Sequence, residues 1–208
     1  AKTNSNNNNS INISVGSGGM IGSVKSLQQN VKVAILGSGI SGSIAANILN
    51  SQKNIDCSVF EVGRGAGGSI TTGIQNSILG SQAADALVDA HGNTVMGYNS
   101  LTADTEGNYS TAVGYGTLQA QNFTTNTTVH NVAVGYASGN DITTGQHNTL
   151  LGSGTGAKLT DTDFNVAVGS TALNDDVLGS RSTAVGYAAL HAQNFTTATD
   201  SYNVAVGY

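Results

Sequence analysis

The sequence predicts an all-β chain wound into a rod-like parallel β-solenoid, or β-roll, of 17- and 21-residue coils. The first observation is a comb of glycines. Short runs, NSILG, NTVMG, STAVG, NVAVG, NTLLG, NVAVG, STAVG and NVAVG, end at Gly80, Gly97, Gly114, Gly135, Gly152, Gly169, Gly186 and Gly207, so the successive intervals are 17, 17, 21, 17, 17, 17 and 21. Self-similarity at a fixed short period marks a stacked-repeat architecture. The second is a super-repeat of four coils: the two long intervals begin at Gly114 and Gly186, and the stretch 114–136 agrees with 186–208 at 16 of 23 positions. A β-sandwich, the alternative with regularly spaced strands, does not repeat its sequence in this way. The third is composition. With 28 glycines in 208 residues, no proline or tryptophan and only 9% charged residues, a compact helical enzyme core is a poor expectation, yet the aliphatic residues are too regular for a disordered chain.

Residues 1–10, AKTNSNNNNS, hold too little apolar surface to offset ordering entropy and read as a flexible polar arm; docked, such an arm would join subunits by added strand pairing. Ala1 at the head reads as a processed or excised chain.

Residues 11–68 read as divergent N-terminal coils, because the comb runs backwards from Gly80 through Gly63, Gly37 and Gly16, with intervals of 17, 26 and 21. The same stretch carries a second pattern. A strand-like run enters Gly37-x-Gly39-x-x-Gly42, an apolar helix-like stretch follows, and a second strand ends at Glu61. Such glycines let the backbone approach a pyrophosphate at a helix N-terminus, and the acid accepts the ribose hydroxyls. With the RGAGG tail at 64–68, the stretch 31–68 resembles the βαβ opening of FAD-dependent, amine-oxidase-like and renalase-like flavoproteins. The resemblance implies FAD contacts at Gly37, Gly39, Gly42 and Glu61. Because the repeat array begins within about ten residues of Gly68, the further strands and substrate domain of a flavoprotein are not expected there. The expectation is therefore no cofactor and no enzyme activity, with an inactive flavoprotein-like fragment and an FAD-dependent oxidoreductase fragment as the alternatives.

Residues 69–208 read as the regular solenoid. The residue before each glycine, Leu79, Met96, Val113, Val134, Leu151, Val168, Val185 or Val206, is always aliphatic and is predicted to be the buried column, and the residue three before the glycine shares its face. Four before it, Asn76, Asn93, Asn131, Asn148, Asn165 and Asn203 are placed to bond coil to coil. A second apolar anchor lies four positions after the glycine at Leu101, Leu118, Leu173 and Leu190, or seven after at Leu87, Ile142 and Leu159, and Gly73, Gly107, Gly145 and Gly179 mark corners. A single coil is too short to bury a core alone, so neighbouring coils must share one.

The wording NxAVG, GYxAL and TTGxxN resembles the repeats of bacteriophage tail fibres and, more distantly, the heads of trimeric autotransporter adhesins. The resemblance implies a homotrimer on a virion or at an extracellular or cell-surface location, bound to a host or cell-surface receptor, with a glycan among the candidates. The coil is longer than the adhesin-head repeat, and neither a coiled-coil stalk nor a membrane anchor is evident. These departures favour a phage fibre over a bacterial surface adhesin or an extracellular filament subunit.

Other partners are weakly supported. A net charge of −5 argues against nucleic acid, since no basic patch exists to neutralise phosphates. The shortness of the apolar runs argues against membrane insertion. Cys57 has no second thiol to pair with. His130 and His147 share a column with Gln75, Gly92, Tyr109, Phe164, Arg181 and Tyr202, whose variety suits an exposed rim rather than a metal site. Asp161, Asp163, Asp175 and Asp176 read as solvated turns, and Tyr98, Tyr115, Tyr136, Tyr187 and Tyr208 as a structural stack. No nucleophile elbow appears. Recognition is predicted where uniformity breaks: the four-residue insertions in QAQNFTTNTTVHN (119–131) and HAQNFTTATDSYN (191–203) map to bulges on one face. Phe123, Thr124, Phe195 and Thr196 are the candidate receptor contacts, about 19 Å apart at ~4.8 Å per coil.

Overall fold

The computed structural model describes residues 58–59 and 65–208. The polar arm, the coils assigned to Gly16, Gly37 and Gly63, and the fingerprint residues Gly37, Gly39, Gly42 and Glu61 lie outside them. Among the described residues the fold is all-β without a helix. One nine-stranded parallel sheet runs the length of the solenoid through β1 (Ser58–Val59), β2 (Ser77–Leu79), β3 (Thr94–Met96), β5 (Thr111–Val113), β7 (Val132–Val134), β8 (Thr149–Leu151), β9 (Val166–Val168), β11 (Thr183–Val185) and β13 (Val204–Val206). From β2 onward the register joins equivalent residues of successive coils, Ser77 with Thr94 and so on to Val185 with Val206. The comb expected Phe60 opposite Ser77; instead Ser58 pairs with Ser77, so the first strand begins two positions early. Each insertion adds a two-stranded parallel ladder at a corner: β4 (Gly107–Asn108) with β6 (Thr127–Thr128), and β10 (Gly179–Ser180) with β12 (Thr199–Asp200).

The comb glycines are fixed by how closely the coils approach. At Gly152, φ is +143°, and a β-carbon there would sit 2.5 Å from the carbonyl oxygen of Gly169 in the next coil. Any side chain would force the coils apart.

The short strands of the main sheet face the opposite way from the sequence expectation. The inward residue is the middle one: Ile78, Val95, Ala112, Ala133, Leu150, Ala167 and Ala184 are buried. The column predicted to be buried points outward; Met96 is 47% exposed and Val134, Leu151 and Val206 are exposed as well. The physical reason lies in the asparagine column. Asn76, Asn93, Asn131, Asn148 and Asn165 are buried, and strand parity puts them on the same face as the middle residue, not as the residue before the glycine. Each of these asparagines binds backbone of the next coil, and Asn148 Nδ2 also donates to Asn131 Oδ1 at 3.2 Å. Asn148 Oδ1 accepts the Asn165 amide at 3.0 Å, and its Nδ2 donates to the Thr162 carbonyl at 2.7 Å. One side chain thus satisfies two otherwise unpaired backbone groups of the next coil.

The remaining interior follows the expected alternation, now with a volume rule. Where the fourth residue after the glycine is large (Leu101, Leu118, Leu173), the seventh is polar (Asp104, Gln121, Asp176). Where the fourth is small (Ala84, Gly139, Gly156), the seventh is Leu87, Ile142 or Leu159. The exchange is steric: a β-carbon on Gly139 would lie 2.8 Å from Leu150 Cδ1 and 3.1 Å from Ile142 Cδ1. The apolar members join the middle-strand residues in a single continuous core.

Candidate attachment surfaces

Three features interrupt the otherwise repetitive exterior. The first is the pair of bulges. Phe123 does not project: it is only 7% exposed, while Phe195 is half-buried and Thr124 and Thr196 are exposed. Each ring therefore pins its loop, and the outer surface of the bulge is carried by threonines. The pin has a polar foundation that the sequence reading missed. Asp104 Oδ1 accepts the backbone amides of Phe123 (2.9 Å) and Gly107 (3.2 Å), and its Oδ2 accepts Gln121 Nε2 at 2.6 Å. Gln121 also donates to Ser110 Oγ and accepts from Asn131 Nδ2. The second copy repeats this with Asp176, Phe195, Gly179, Gln193, Ser182 and Asn203. Ser110 and Ser182 stand where other coils have the buried asparagine, and the glutamine fills the space left by the shorter side chain. Asp176 is thus no solvated turn residue; it is fully buried, because the bulge that folds over it supplies the donors that its carboxylate needs. Burial holds the Asp104 carboxyl above its ordinary range, partly offset by the hydrogen bonds from Phe123, Gln121, Gly107 and Thr105. Asp175, by contrast, is drawn below it by the Lys158 ammonium, 2.7 Å away. Asp161 and Asp163 accept from Thr144 Oγ1 and the Gln146 amide of the preceding coil.

The second feature is the outer face of the nine-stranded sheet. Met96, Val134, Leu151, Val166, Val204 and Val206 are exposed there, and the tyrosines following the glycines border them. Tyr98, Tyr115 and Tyr136 stack with centroids 5.4 and 5.3 Å apart, and Tyr187 stacks on Tyr208 at 5.3 Å. The expected structural stack therefore exists, interrupted by Ser153 and Ser170.

The third feature is the column five positions before the glycine. Tyr109 stacks on His130 at 5.3 Å, His130 meets His147 at 5.5 Å with the rings tilted by 36°, and His147 stacks on Phe164 at 4.9 Å. The Arg181 guanidinium continues the series 4.7 Å from the Phe164 centroid and 5.9 Å from that of Tyr202. All six residues are exposed, and all six have left-handed backbones with φ between 48° and 64°. Glycine or asparagine adopts this conformation readily, whereas bulky side chains there cost about 1 to 3 kcal/mol each. The rim position expected for His130 and His147 holds, but the ladder they belong to was invisible in their variable identities.

Among the described residues no three or more His, Cys, Asp or Glu side chains are disposed to hold a metal ion, and no helix is long and apolar enough to cross a membrane. A family model described as an NAD(P)-binding Rossmann-like domain matches residues 35–101, about a third of the chain. It covers the Gly37-x-Gly39-x-x-Gly42 stretch and Glu61, and then enters β2 and β3, where residues 65–101 form solenoid coils rather than a strand–helix–strand unit. No curated protein and no solved structure matches the chain. The chain is therefore similar over a third of its length to dinucleotide-binding domains, while its described part is a parallel β-solenoid of about eight turns.

Proposed function

We propose that this chain is a structural and attachment segment of an extracellular or virion fibre, with a phage tail fibre as the leading reading and a bacterial surface adhesin as its neighbour, and that it assembles from copies of itself. The observation that carries the proposal is the outward sheet face. A row of aliphatic side chains on a repetitive rod, bordered by tyrosines except at Ser153 and Ser170, is an exposed apolar surface of the kind that marks a protein–protein contact. Because the aliphatic column before the glycines recurs at every coil, another copy of the same rod matches it in period, and the resemblance to fibre and adhesin-head repeats favours a threefold closure. Attachment to a host or cell-surface receptor, a glycan included, falls to the exposed threonines of the bulges, Thr124 and Thr196, which Phe123 and Phe195 hold in place.

Sedimentation equilibrium tests the assembly. Wild-type protein is expected at three times the chain mass, and Val134→Lys with Val168→Lys is expected to give a folded monomer with an unchanged far-ultraviolet spectrum. A wild-type monomer would overturn the proposal. Thr124→Glu with Thr196→Glu should weaken attachment to cells at an unchanged melting temperature.

The match over residues 35–101 favours a second reading, a dinucleotide-binding segment preceding the solenoid. Binding of FAD or a nicotinamide dinucleotide by the full chain, retained through gel filtration and lost in Gly37→Ala with Gly39→Ala, would support it.

A further inference from the structure

The geometry points to the ladder Tyr109–His130–His147–Phe164–Arg181–Tyr202 as a binding track for an extended, uncharged, β-linked polysaccharide strand lying parallel to the solenoid axis, one sugar unit to each coil. The assignment rests on the attachment reading, names the ligand class, and adds to the bulge threonines a second contact surface. The planar groups follow one another face to face, apart from a 36° tilt between His130 and His147, with centroid separations of 4.9 to 5.5 Å among the four rings, so the ladder presents mainly edges outward rather than faces. Aromatic edges carry the positive end of the ring quadrupole. Imidazole nitrogens, a guanidinium and the Tyr109 hydroxyl belong to the same row, with the Tyr202 hydroxyl 3.5 Å from Asp200 Oδ2, so the row combines hydrogen-bonding groups with electropositive edges. The period is comparable with the rise of one sugar unit along an extended β-linked chain, whose ring and hydroxyl oxygens supply acceptors at matching intervals.

The surroundings select against a polyanion. The Arg181 charge is already engaged by Asp200 at 3.1 Å, and residues 65–208 carry ten acidic against two basic side chains. The resulting negative field repels carboxylated or sulfated chains. The backbone gives an independent argument that the side chains are retained for their own sake. Gly92 occupies the same column with φ +68°, beneath the Tyr109 ring, so the position accepts glycine, yet each of the next six coils carries a large planar group there. Both insertions end at this column, with Thr128 and Asp200 just ahead of His130 and Tyr202, which puts the bulges at the edge of the track.

The test is calorimetric titration of the full chain with cello-oligosaccharides and chito-oligosaccharides of two to eight units, with heparin and alginate fragments of equal length as the charged comparison. Affinity is expected to rise with each added unit and to level off near six, with the charged fragments at least tenfold weaker. His147→Phe keeps an aromatic ring in the ladder but removes both ring nitrogens, and is expected to lower hexamer affinity several-fold at an unchanged melting temperature. Tyr109→Ala should shorten the track, moving the plateau to about five units. No length dependence, tighter binding of the charged fragments, or equal affinity of His147→Phe and wild type would each overturn the assignment. None of these outcomes alters the oligomeric mass, so failure of the track is distinguishable from failure of the self-assembly reading.

Discussion

Residues 97–134 and 135–168 build the same solenoid with opposite chemistry at its centre. In 135–168 the seventh residue after the glycine is Ile142 or Leu159, and the interior is closed by hydrocarbon. In 97–134 those positions are Asp104 and Gln121, and the interior is closed by a hydrogen-bonded network to Ser110, Asn131 and the amides of Gly107 and Phe123. The difference teaches what an insertion requires. An inserted loop cannot be held against a coil by apolar contact alone, because its backbone must find partners; a buried carboxylate supplies acceptors for two amides and an amide side chain at once. The carboxylate and the bulge are therefore a single device, present again as Asp176 with Phe195.

The sharpest way to break the comparison is to put the carboxylate where no bulge exists. Leu159→Asp should lose about 4 kcal/mol or more in urea denaturation, since the charge is buried without donors. A loss below about 1 kcal/mol would mean that the network is not what makes Asp104 tolerable. Removal of the pin comes next. Phe123→Ser should cost about 3 kcal/mol as a large side chain is deleted from a closed site, and Phe195→Ser clearly less because that ring is half-buried; equal losses would show that burial of the ring is not what anchors the loop.

Asp104→Asn tests the charge itself. Oδ1 can still accept from Phe123 and Gly107, but Nδ2 then faces Gln121 Nε2, and rotating Gln121 only moves the donor conflict to Asn131. A loss of about 2 kcal/mol at neutral pH is expected. The pH dependence has a definite sign. The folded-state pKa of Asp104 is raised, chiefly by burial, so its contribution is fully present below the ordinary carboxyl value of 3.8 and is lost as pH rises through the raised value. Wild type should therefore gain stability relative to Asp104→Asn as pH is lowered from neutral through the raised range; parallel stability curves would mean that the carboxyl does not titrate high. The smallest effect belongs to the regular region. Thr162 is buried with no partner for its hydroxyl, in a column that also holds Gly73, Ala90, Gly107, Gly145 and Gly179, so Thr162→Ala should leave stability unchanged or raise it by about 1 kcal/mol. A clear loss would mean that its methyl group matters more than its hydroxyl.

The coil, its period, its two lengths and its alternative anchors at Leu118 or Leu159 were legible in the sequence because repetition multiplies a weak signal. Which strand face is inside was not. In so short a strand, Val-Ala-Val reads as two large residues inward and one small residue outward, and here the reverse holds, with the middle position buried whether it is alanine or, as at Ile78, Val95 and Leu150, a larger aliphatic. The buried asparagines held the clue, sharing parity with the alanine. The polar foundation of the bulges was hidden for a different reason. Asp104 and Gln121 lie a full coil apart along the chain, and nothing local distinguishes Asp176, which is buried, from Asp175, which forms an ion pair with Lys158 at the surface. The ladder combined tyrosine, histidine, phenylalanine and arginine, so residue identity concealed a shared planarity.

The bonds between adjacent coils, from the strand register to the asparagine contacts, run along the stacking direction, and each coil touches chiefly its neighbours, the first bulge reaching a coil further, where Asn126 Nδ2 donates to the Asp89 carbonyl. Tension applied along the axis therefore loads one interface at a time and peels the chain open coil by coil. A sideways force applied through the outer sheet face instead loads many interfaces in parallel. A segment built this way yields progressively in extension and resists shear, and the two bulged layers, cross-linked through buried side chains, are the places where peeling should pause.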